Sequence, residues 1–377
     1  MTTTYEKPPA TEVGVLGWLK KNLFSTWYDI LLTTGSLVFI YGVLREIIEW
    51  AIIKATFSTE PGACKEAKAA AAAAGQTAGA CWSVVITNIK VFMSGRYPTE
   101  EVWRIWASLG IVAALAVLTW WIWRSQNMEE SRRWVVIGWL LSLPVIAILL
   151  SGFSEESEIL PLVATELWSG LLLTIVLATV GIVASFPLGV MLALGRRSEL
   201  PAIKVFCTMY IELIRGVPLI TVLFMSQLLL PIFLPPQIRF GTVVRALVGM
   251  TLFSAAYSAE NIRGGLAAIP IGQYEAAKAV GLNNLLMIAL IILPQAIQKV
   301  IPAIVGQFIS LFKDTTLVVI IGLLDLLGVA KAVTSQHDFI GLHKEAYLFV
   351  ALMFFILCYA MSYGSRRLEV AMGVGER

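Results

Sequence analysis

The sequence predicts an all-α polytopic membrane protein with about eight transmembrane helices. Its 377 residues are 58% apolar and 14% charged, and the mean hydropathy is +0.80. A soluble domain is about half apolar and about a quarter charged, so this chain needs lipid around much of its surface. The apolar runs are long and continuous, which favours helices over the short strands of a membrane barrel.

Eight apolar stretches are long enough to cross a bilayer as helices. Three lie in residues 1–160, which we expect to form an N-terminal extension with a polar outside loop at about 57–100. Five lie in residues 161–372. The stretches are 29–54, 103–123, 134–152, 167–194, 208–234, 241–262, 300–325 and 347–365.

The basic residues predict the orientation, because loops on the cytoplasmic side are enriched in lysine and arginine. The loop at 153–166 has neither, but holds four glutamates. We therefore expect the N- and C-termini in the cytoplasm and that loop outside. The net charge of +3 reflects this bias and gives no reason to expect nucleic acid as a partner. Arginine pairs follow the second, fourth and eighth stretches: Arg132 and Arg133, Arg196 and Arg197, and Arg366 and Arg367.

The most specific local pattern lies in a polar turn between the sixth and seventh stretches. Pro270 and Gly272 are expected to end the preceding membrane helix, and Gln273–Val280 reads as a short helix with small alanine side chains. Gly281 suits the left-handed turn that ends such a helix, and Pro294 is expected to break the return segment. The pattern has seven specified positions: Glu275, Ala276, Ala277, Gly281, Ile291, Leu293 and Pro294.

This pattern resembles the cytoplasmic loop of ABC importer permeases, the membrane subunits that dock onto an ATPase. Gln307 and Thr316 are small departures, standing where the family commonly has Asn and Ser. The three extra helices and the outside loop are similar to the M-type membrane subunit of general L-amino-acid transporters. Further similarity to the polar amino-acid branch of these permeases lies at 193–198, 210–219, 256–265, 294–296 and 311–317.

The resemblance implies a five-helix type I importer core at 161–372, with a coupling loop at about 264–299. It implies a permease subunit in the bacterial inner membrane that forms half of a pore for ATP-driven import of L-amino acids. Its expected partners are a second permease chain, favoured as a homologous chain in a heterodimer, two ATPase subunits and a periplasmic amino-acid-binding protein. Membrane lipid surrounds the complex.

The sequence contains no pattern for catalysis, metal binding or nucleotide binding. There is no G-x-x-x-x-G-K-[ST] loop, no Ser/His/Asp set and no histidine–carboxylate cluster. We therefore expect a transporter subunit that is not an enzyme and holds no cofactor, with ATP and Mg²⁺ bound by the separate ATPase.

Two pairs of ionisable residues have the i,i+3 spacing that places both groups on one helix face. Glu212 and Arg215 form the first, which we interpret as a self-neutralising pair that joins helices, with a role in the pathway left open. Glu260 and Arg263 form the second, and the resemblance implies that this pair leads into the ATPase contact.

Lys313 and Asp314 interrupt a mainly apolar stretch. Adjacent residues on a helix point about 100° apart, so one side chain can face a cavity while the other meets a neighbouring helix. A zwitterionic amino acid needs a partner for each of its charges, and these two residues offer both. Lining of the substrate pathway and simple pairing of helices remain open alternatives.

Cys64 and Cys81 lie in the predicted outside loop, on the oxidising side where disulfides persist. A bridge would close a loop of about 18 residues and stabilise it by about 3 kcal/mol. The alternative is a low-complexity linker with two idle thiols.

Two other functions compete with an ATP-driven permease. An ion-coupled secondary amino-acid transporter would show inverted repeats and interrupted helices in matching positions, and no such symmetry between the halves is evident. A non-transporting anchor or assembly subunit would not need charges inside its spans.

Overall fold

The computed structural model describes residues 14–373 except 61, 125–128, 155, 156, 158, 234, 236, 238, 239 and 372. Three glutamates of the loop at 153–166, Glu155, Glu156 and Glu158, lie outside the described residues. The chain forms two compact units, one up to Thr87 and one from Asn88. The division after residue 160, drawn from the number of spans on either side, stays a prediction.

The described part of the first unit begins with two helices joined by a capped turn. The Thr26 hydroxyl accepts a hydrogen bond from the Asp29 N–H, and the Asp29 carboxylate accepts one from the Thr26 N–H at 3.1 Å. This reciprocal capping satisfies two backbone donors at the start of the second helix. The helices of the unit are α1 (Gly14–Leu23), α2 (Trp27–Ile48, followed by a π-helical turn Glu49–Ile53), α3 (Ala63–Ala73) and α4 (Ser83–Thr87).

The segment that follows α2 folds back on itself around a disulfide. The Thr56 N–H donates to the Ala80 carbonyl at 2.8 Å, and the Trp82 N–H donates to the Thr56 carbonyl at 3.0 Å. A disulfide joins Cys64 of α3 to Cys81, with the Cα atoms 5.8 Å apart, and both residues are buried. In the predicted outside loop at about 57–100, the disulfide therefore attaches α3 to the segment around Cys81, whose backbone pairs with Thr56.

Helices joined by short irregular segments make up the described part of the second unit. Shorter 3₁₀ turns occur at Thr99–Glu101, Thr165–Leu167 and Thr315–Ile321, and a π-helical segment at Met287–Ile292. The helices are α5 (Ile89–Ser94), α6 (Val102–Arg124), α7 (Glu129–Ser151), α8 (Gly170–Arg196), α9 (Pro201–Arg215), α10 (Leu219–Phe233), α11 (Thr242–Ala267), α12 (Ile271–Ala279), α13 (Asn284–Leu286), α14 (Leu293–Asp314), α15 (Leu326–Thr334) and α16 (His343–Ala371).

Six helical segments of the described chain are long and apolar enough to cross a membrane, or seven if α9 and α10 together form one span. The all-α polytopic class is confirmed, with six or seven candidate spans against about eight predicted. The predicted span 29–54 is not among them; its helix α2 carries charges at both ends, Asp29 and Arg45. The six are Thr99–Arg124, Ser131–Ser151, Gly170–Arg196, Thr242–Ala267, Asn284–Ile321 and His343–Val370.

The predicted continuous span over 208–234 is wrong, because the chain bends by 114° between α9 and α10. The Gly216 N–H donates to the Glu212 carbonyl at 3.0 Å and closes α9. Pro218 then precedes α10; it has no N–H to continue the first helix, and it disfavours helical geometry at Val217. The Gly-Val-Pro sequence therefore ends one helix and redirects the next.

α11 is the central helix of the second unit. Of the most apolar 18 residues of α11, 61% are buried, whereas the corresponding share for α16 is 11%. α11 packs on α8, α9, α10 and α14. Small residues permit the closest approach: a Cβ on Gly189 of α8 would lie 2.6 Å from the Cβ of Ser258 of α11. Close backbone contact of this kind is how helices associate where lipid replaces water.

Two apolar clusters lie at opposite ends of α8. The cluster at its N-terminal end contains Leu173 and, from the α14 region, Leu311 and Val318. The cluster at its C-terminal end contains Ala193 and, from α12, Ala277. The bundle therefore has two separately packed ends, and α12 belongs to the end where α8 finishes.

The helices α6 and α7 are tied to the segment that precedes α8. Arg104 of α6 is fully buried, donates to the Pro161 carbonyl at 2.9 Å, and has its Nε 2.7 Å from the Glu101 carboxylate. The Tyr97 hydroxyl donates to the Leu150 carbonyl of α7 at 2.8 Å. A buried guanidinium is tolerated here because it has a carboxylate and a carbonyl as partners.

Candidate functional site

The helix α12 lies in the turn between the α11 span and the span that begins at Asn284. It starts after Pro270 and spans Ile271–Ala279, where a short helix over Gln273–Val280 was predicted. Gly281 has φ +81°, the left-handed conformation that favours glycine. The Gly281 N–H donates to the Lys278 carbonyl at 2.9 Å, and the Leu282 N–H donates to the Ala277 carbonyl at 3.2 Å. These two bonds form a Schellman motif that ends the helix.

One face of α12 is fixed to the bundle. Ala277 is buried in the cluster with Ala193 and Ile262. The Tyr274 hydroxyl donates to the Leu266 carbonyl of α11 at 3.5 Å. The Gln295 amide of α14 donates to the Gln273 side-chain oxygen at 3.1 Å. Contacts to both adjoining spans therefore hold the helix in place.

The other face of α12 is exposed. Glu275 and Ala276 are solvent-facing, and their neighbours Ile271 and Val280 are 71% and 77% exposed. The arrangement therefore offers a small, rigid helix with a partly apolar outer face and a carboxylate on it.

Pro294 does not break the return segment, contrary to the prediction. It occupies the first turn of α14, where the absent N–H costs no helical bond. The preceding residues Met287–Ile292 are π-helical and lead into α14 without a gap. A π-helical segment is a usual way to carry a helix past such an interruption. Leu293 packs against the cluster that contains Ala277.

Glu260 is the centre of an ionic network at the end of α8 nearest α12. Arg263 Nε donates to Glu260 Oε1 at 3.0 Å, so the predicted pair within α11 is present in the structure. Glu260 Oε2 lies 3.3 Å from Arg196 Nη1 of α8 and 3.6 Å from Arg215 Nη1 of α9. One carboxylate of α11 thus connects three helices through three guanidinium groups.

Glu212 and Arg215 are not paired with each other, and the predicted self-neutralising pair is wrong. Glu212 Oε1 lies 2.8 Å from Arg196 Nη2, while Arg215 turns to Glu260 and to the ring of Tyr257, 5.8 Å from its centroid. Both residues lie near the end of α9, beside the bend, where partners on α8 and α11 are in reach. Contacts between helices therefore replace the contact within α9.

Lys313 and Asp314 end α14, far along that helix from α12 and in the half of the bundle that contains the N-terminal part of α8. They follow Leu311, which belongs to the cluster at the N-terminal end of α8. Lys313 is exposed and Asp314 is half-buried at the last residue of α14. Among the described residues, neither side chain has an ion pair or a hydrogen bond with another side chain. This arrangement does not favour a device that pairs helices.

The sequence-based reading missed Arg196, Arg197 and Tyr274 as site residues. Arg196 and Arg197 were used as a sign of orientation and of family similarity, without a contact of their own, yet Arg196 contacts Glu212 and Glu260. Arg197 donates to the Tyr274 hydroxyl at 3.2 Å. The sequence did hold a signal for these contacts. Two adjacent arginines directly follow one membrane span, and acidic residues lie in later spans where they can pair with them.

Within the described residues, no group of three or more His, Cys, Asp or Glu side chains is placed to hold a metal ion. At the end of α8 the charged groups are guanidinium and carboxylate side chains that pair with one another. The chemistry available at the site is therefore charge pairing and protein contact.

The chain is similar in sequence to known proteins, and the matched residues include this site. Residues 185–372 match the family described as "Binding-protein-dependent transport system inner membrane component". The "Inner membrane amino-acid ABC transporter permease protein YhdY" of Escherichia coli (strain K12) is 39% identical over 362 residues, which are 95% of this chain and 93% of the relative. The "Glutamate/glutamine/aspartate/asparagine transport system permease protein BztC" of Rhodobacter capsulatus is 35% identical, over 96% of this chain and 94% of the relative.

A solved amino acid ABC transporter with histidines also matches, with 29% identity and a TM-score of 0.48. The match covers 54% of this chain and 92% of that chain.

The fold defines a multi-pass membrane protein. Full-length similarity to two amino-acid permeases then gives the family. The chain belongs to the amino-acid ABC transporter permease family. The comparisons lend no support to the ion-coupled alternative.

Proposed function

We propose that this chain imports L-amino acids as one membrane half of an ATP-driven importer, with α12 as the contact for a separate ATPase. The observation that carries the proposal is the two-sided character of α12. Ala277 and Tyr274 fix one face to the spans, and Glu275 and Ala276 lie exposed on the other. A helix held in this way can transmit a push from a docked partner to the spans instead of bending.

The substrate class is supported by the relatives. One is named as an amino-acid permease and the other as a permease for glutamate, glutamine, aspartate and asparagine. Both match nearly the whole of this chain, including the helices before α8. L-amino acids, with a broad preference, are therefore the proposed substrates.

The proposed complex contains two permease chains, two ATPase subunits and a periplasmic amino-acid-binding protein. The partner permease is a homologous chain or a second copy of this one. ATP and Mg²⁺ bind to the ATPase subunits, and this chain does no catalysis. The complex lies in the bacterial inner membrane with both ends of this chain in the cytoplasm. The arginine pairs after α8 and near the end of α16 support that orientation.

Lys313 and Asp314 are proposed to line the substrate pathway. They lie far along α14 from α12, in the half of the bundle that contains the N-terminal part of α8, which is the outer half in the proposed orientation. Without ion pairs to described side chains, an ammonium and a carboxylate there are available to the two charged groups of an amino acid. Glu260 and Arg263, beside α12, are proposed to transmit movement and not to bind substrate.

Reconstitution into proteoliposomes tests the proposal. We expect uptake of labelled L-glutamate and L-glutamine only when the ATPase, the binding protein and ATP are all present. A proton or sodium gradient imposed without ATP is the control for an ion-coupled carrier. Uptake that follows the gradient and does not require the ATPase would contradict the proposed function.

A further inference from the structure

Two consecutive arginines at the end of α8 connect α12 to the ionic network, and each has a different partner. We propose that Arg196 and Arg197 form a relay that transmits displacement of α12 to α9 and α11, and so positions the bend between α9 and α10. This inference rests on the proposed function, because it assumes that an ATPase acts on α12.

The first half of the relay is the contact between Arg197 and Tyr274. Arg197 Nη1 donates to the Tyr274 hydroxyl at 3.2 Å, and its guanidinium lies 5.9 Å from the centre of the Tyr274 ring. Tyr274 lies next to Glu275 on α12. A hydrogen bond of this length is lost after a shift of less than an ångström, so the contact is sensitive to the position of α12.

The second half of the relay is the pair of contacts made by Arg196. Its Nη2 lies 2.8 Å from Glu212 of α9, and its Nη1 lies 3.3 Å from Glu260 of α11. All three side chains are at least partly accessible, Glu212 the most. The two acidic side chains hold the guanidinium from different helices, so α9 and α11 are joined through α8 at this point.

The two halves cannot move independently. Arg197 is the C-cap of α8, and its N–H donates to the Leu194 carbonyl at 3.0 Å. Arg196 is the last residue of the same helix. A displacement that pulls on Arg197 therefore turns the last turn of α8 and, with it, the guanidinium of Arg196.

Glu212, the partner of Arg196 on α9, lies close to the bend between α9 and α10. Glu212 precedes Gly216 and Pro218 by one to two helical turns, and the bend of 114° follows. Arg215, in the last turn of α9, is held by the same Glu260 carboxylate as Arg196. The relay therefore acts on the short stretch that sets the angle between α9 and α10.

The test compares transport with ATP consumption in the assembled complex. We would measure amino-acid uptake per ATP hydrolysed in proteoliposomes for Tyr274→Phe, Arg197→Gln, Arg196→Gln and Glu212→Gln. Tyr274→Phe keeps the ring and removes the hydroxyl, which contacts both Arg197 and the Leu266 carbonyl. Arg197→Gln leaves the Leu266 contact in place and so separates the two. Arg367→Gln is the matched control. Arg367 Nε donates to the Tyr363 hydroxyl at 3.1 Å, a contact of the same kind but within one helix.

We expect uptake per ATP to fall about three- to tenfold in each relay variant, the size of one ordinary hydrogen bond lost at a partly accessible site, and to stay unchanged in Arg367→Gln. The double variant Tyr274→Phe/Glu212→Gln should lose no more than the stronger single variant, because both interrupt one connection. Effects that multiply in the double variant, or an unchanged ratio in the single variants of a coupled complex, would overturn the relay alone. A wild-type chain that transports without the ATPase would overturn the proposed function as well.

Discussion

Gly265 of α11 lies directly against the backbone of Ala296 of α14. A Cβ on Gly265 would overlap the Ala296 carbonyl oxygen and lie 3.0 Å from Cγ1 of Val300. Both helices adjoin the α12 turn at this point. The absence of a side chain on Gly265 therefore sets the spacing of the two spans that hold α12.

Substitution of Gly265 should destabilise the protein, because α14 would have to move away. We expect Gly265→Ala to lower the free energy of unfolding by about 1–3 kcal/mol, the usual cost of overpacking. The measurement is the thermal unfolding midpoint of the purified protein in detergent. Gly264→Ala is the matched control, since a Cβ there meets nothing within 4 Å. Equal midpoints for the two variants would contradict the close contact.

The disulfide between Cys64 and Cys81 should be present in the protein isolated from membranes. Mass spectrometry of peptides prepared without reductant should find the two residues joined, and the Cys64→Ser/Cys81→Ser variant should lose about 3 kcal/mol of stability in the first unit. In protein denatured without reductant, the free thiols of Cys207 and Cys358 should alkylate and serve as internal controls. Full alkylation of Cys64 and Cys81 in the native protein would show that the bridge is absent.

Neutralising the charges of Lys313 and Asp314 should stop transport without preventing assembly. Asp314→Asn keeps the shape of the side chain and Lys313→Met keeps its length, so each removes one charged partner for substrate. The loss of such a contact costs about 2–4 kcal/mol, which is more than tenfold in transport. Uptake and co-purification of the complex are measured together.

A double variant separates the two alternatives for this pair. If Lys313 and Asp314 line the pathway, Lys313→Met/Asp314→Leu should assemble and remain inactive. Recovery of both assembly and transport in the double variant, after single variants that fail to assemble, would show that the charges pair helices and do not line the pathway.

The short-range features of the fold were predictable because they depend on residues close in sequence. Pro270 and Gly281 delimit α12 through backbone geometry that each residue carries with it. Long apolar runs likewise predicted most spans, since one bilayer thickness sets their length. The bend after Gly216 was missed because its apolar flanks read as one continuous stretch, although Pro218 was visible within it.

The partners of charged residues could not be predicted from spacing. The i,i+3 rule gave the correct partner for Glu260, which is Arg263, but the wrong partner for Glu212. The actual partner of Glu212 is Arg196, on another helix, and its position depends on how α8, α9 and α11 pack. The π-helical entry into α14, which accommodates Pro294, was not foreseen either, because proline alone predicted a break.

Changes in the α12 turn should release or uncouple the ATPase while the chain still inserts into the membrane. Gly281→Val forces a branched side chain into a left-handed backbone position at a cost of about 1–2 kcal/mol, and so distorts the end of α12. Glu275→Lys reverses the charge on its exposed face. Gly341→Val is the matched control, because Gly341 has φ +86° and equal free space but lies in a different loop.

The most direct measurement is co-purification of the ATPase with these three variants, together with ATP hydrolysis stimulated by the loaded binding protein. We expect Glu275→Lys and Gly281→Val to be present in the membrane in normal amount, and to lose either the ATPase or its stimulation by substrate. Gly341→Val should behave as the wild type does. Normal co-purification together with normal stimulated hydrolysis in both Glu275→Lys and Gly281→Val would contradict the assignment of α12 as the ATPase contact.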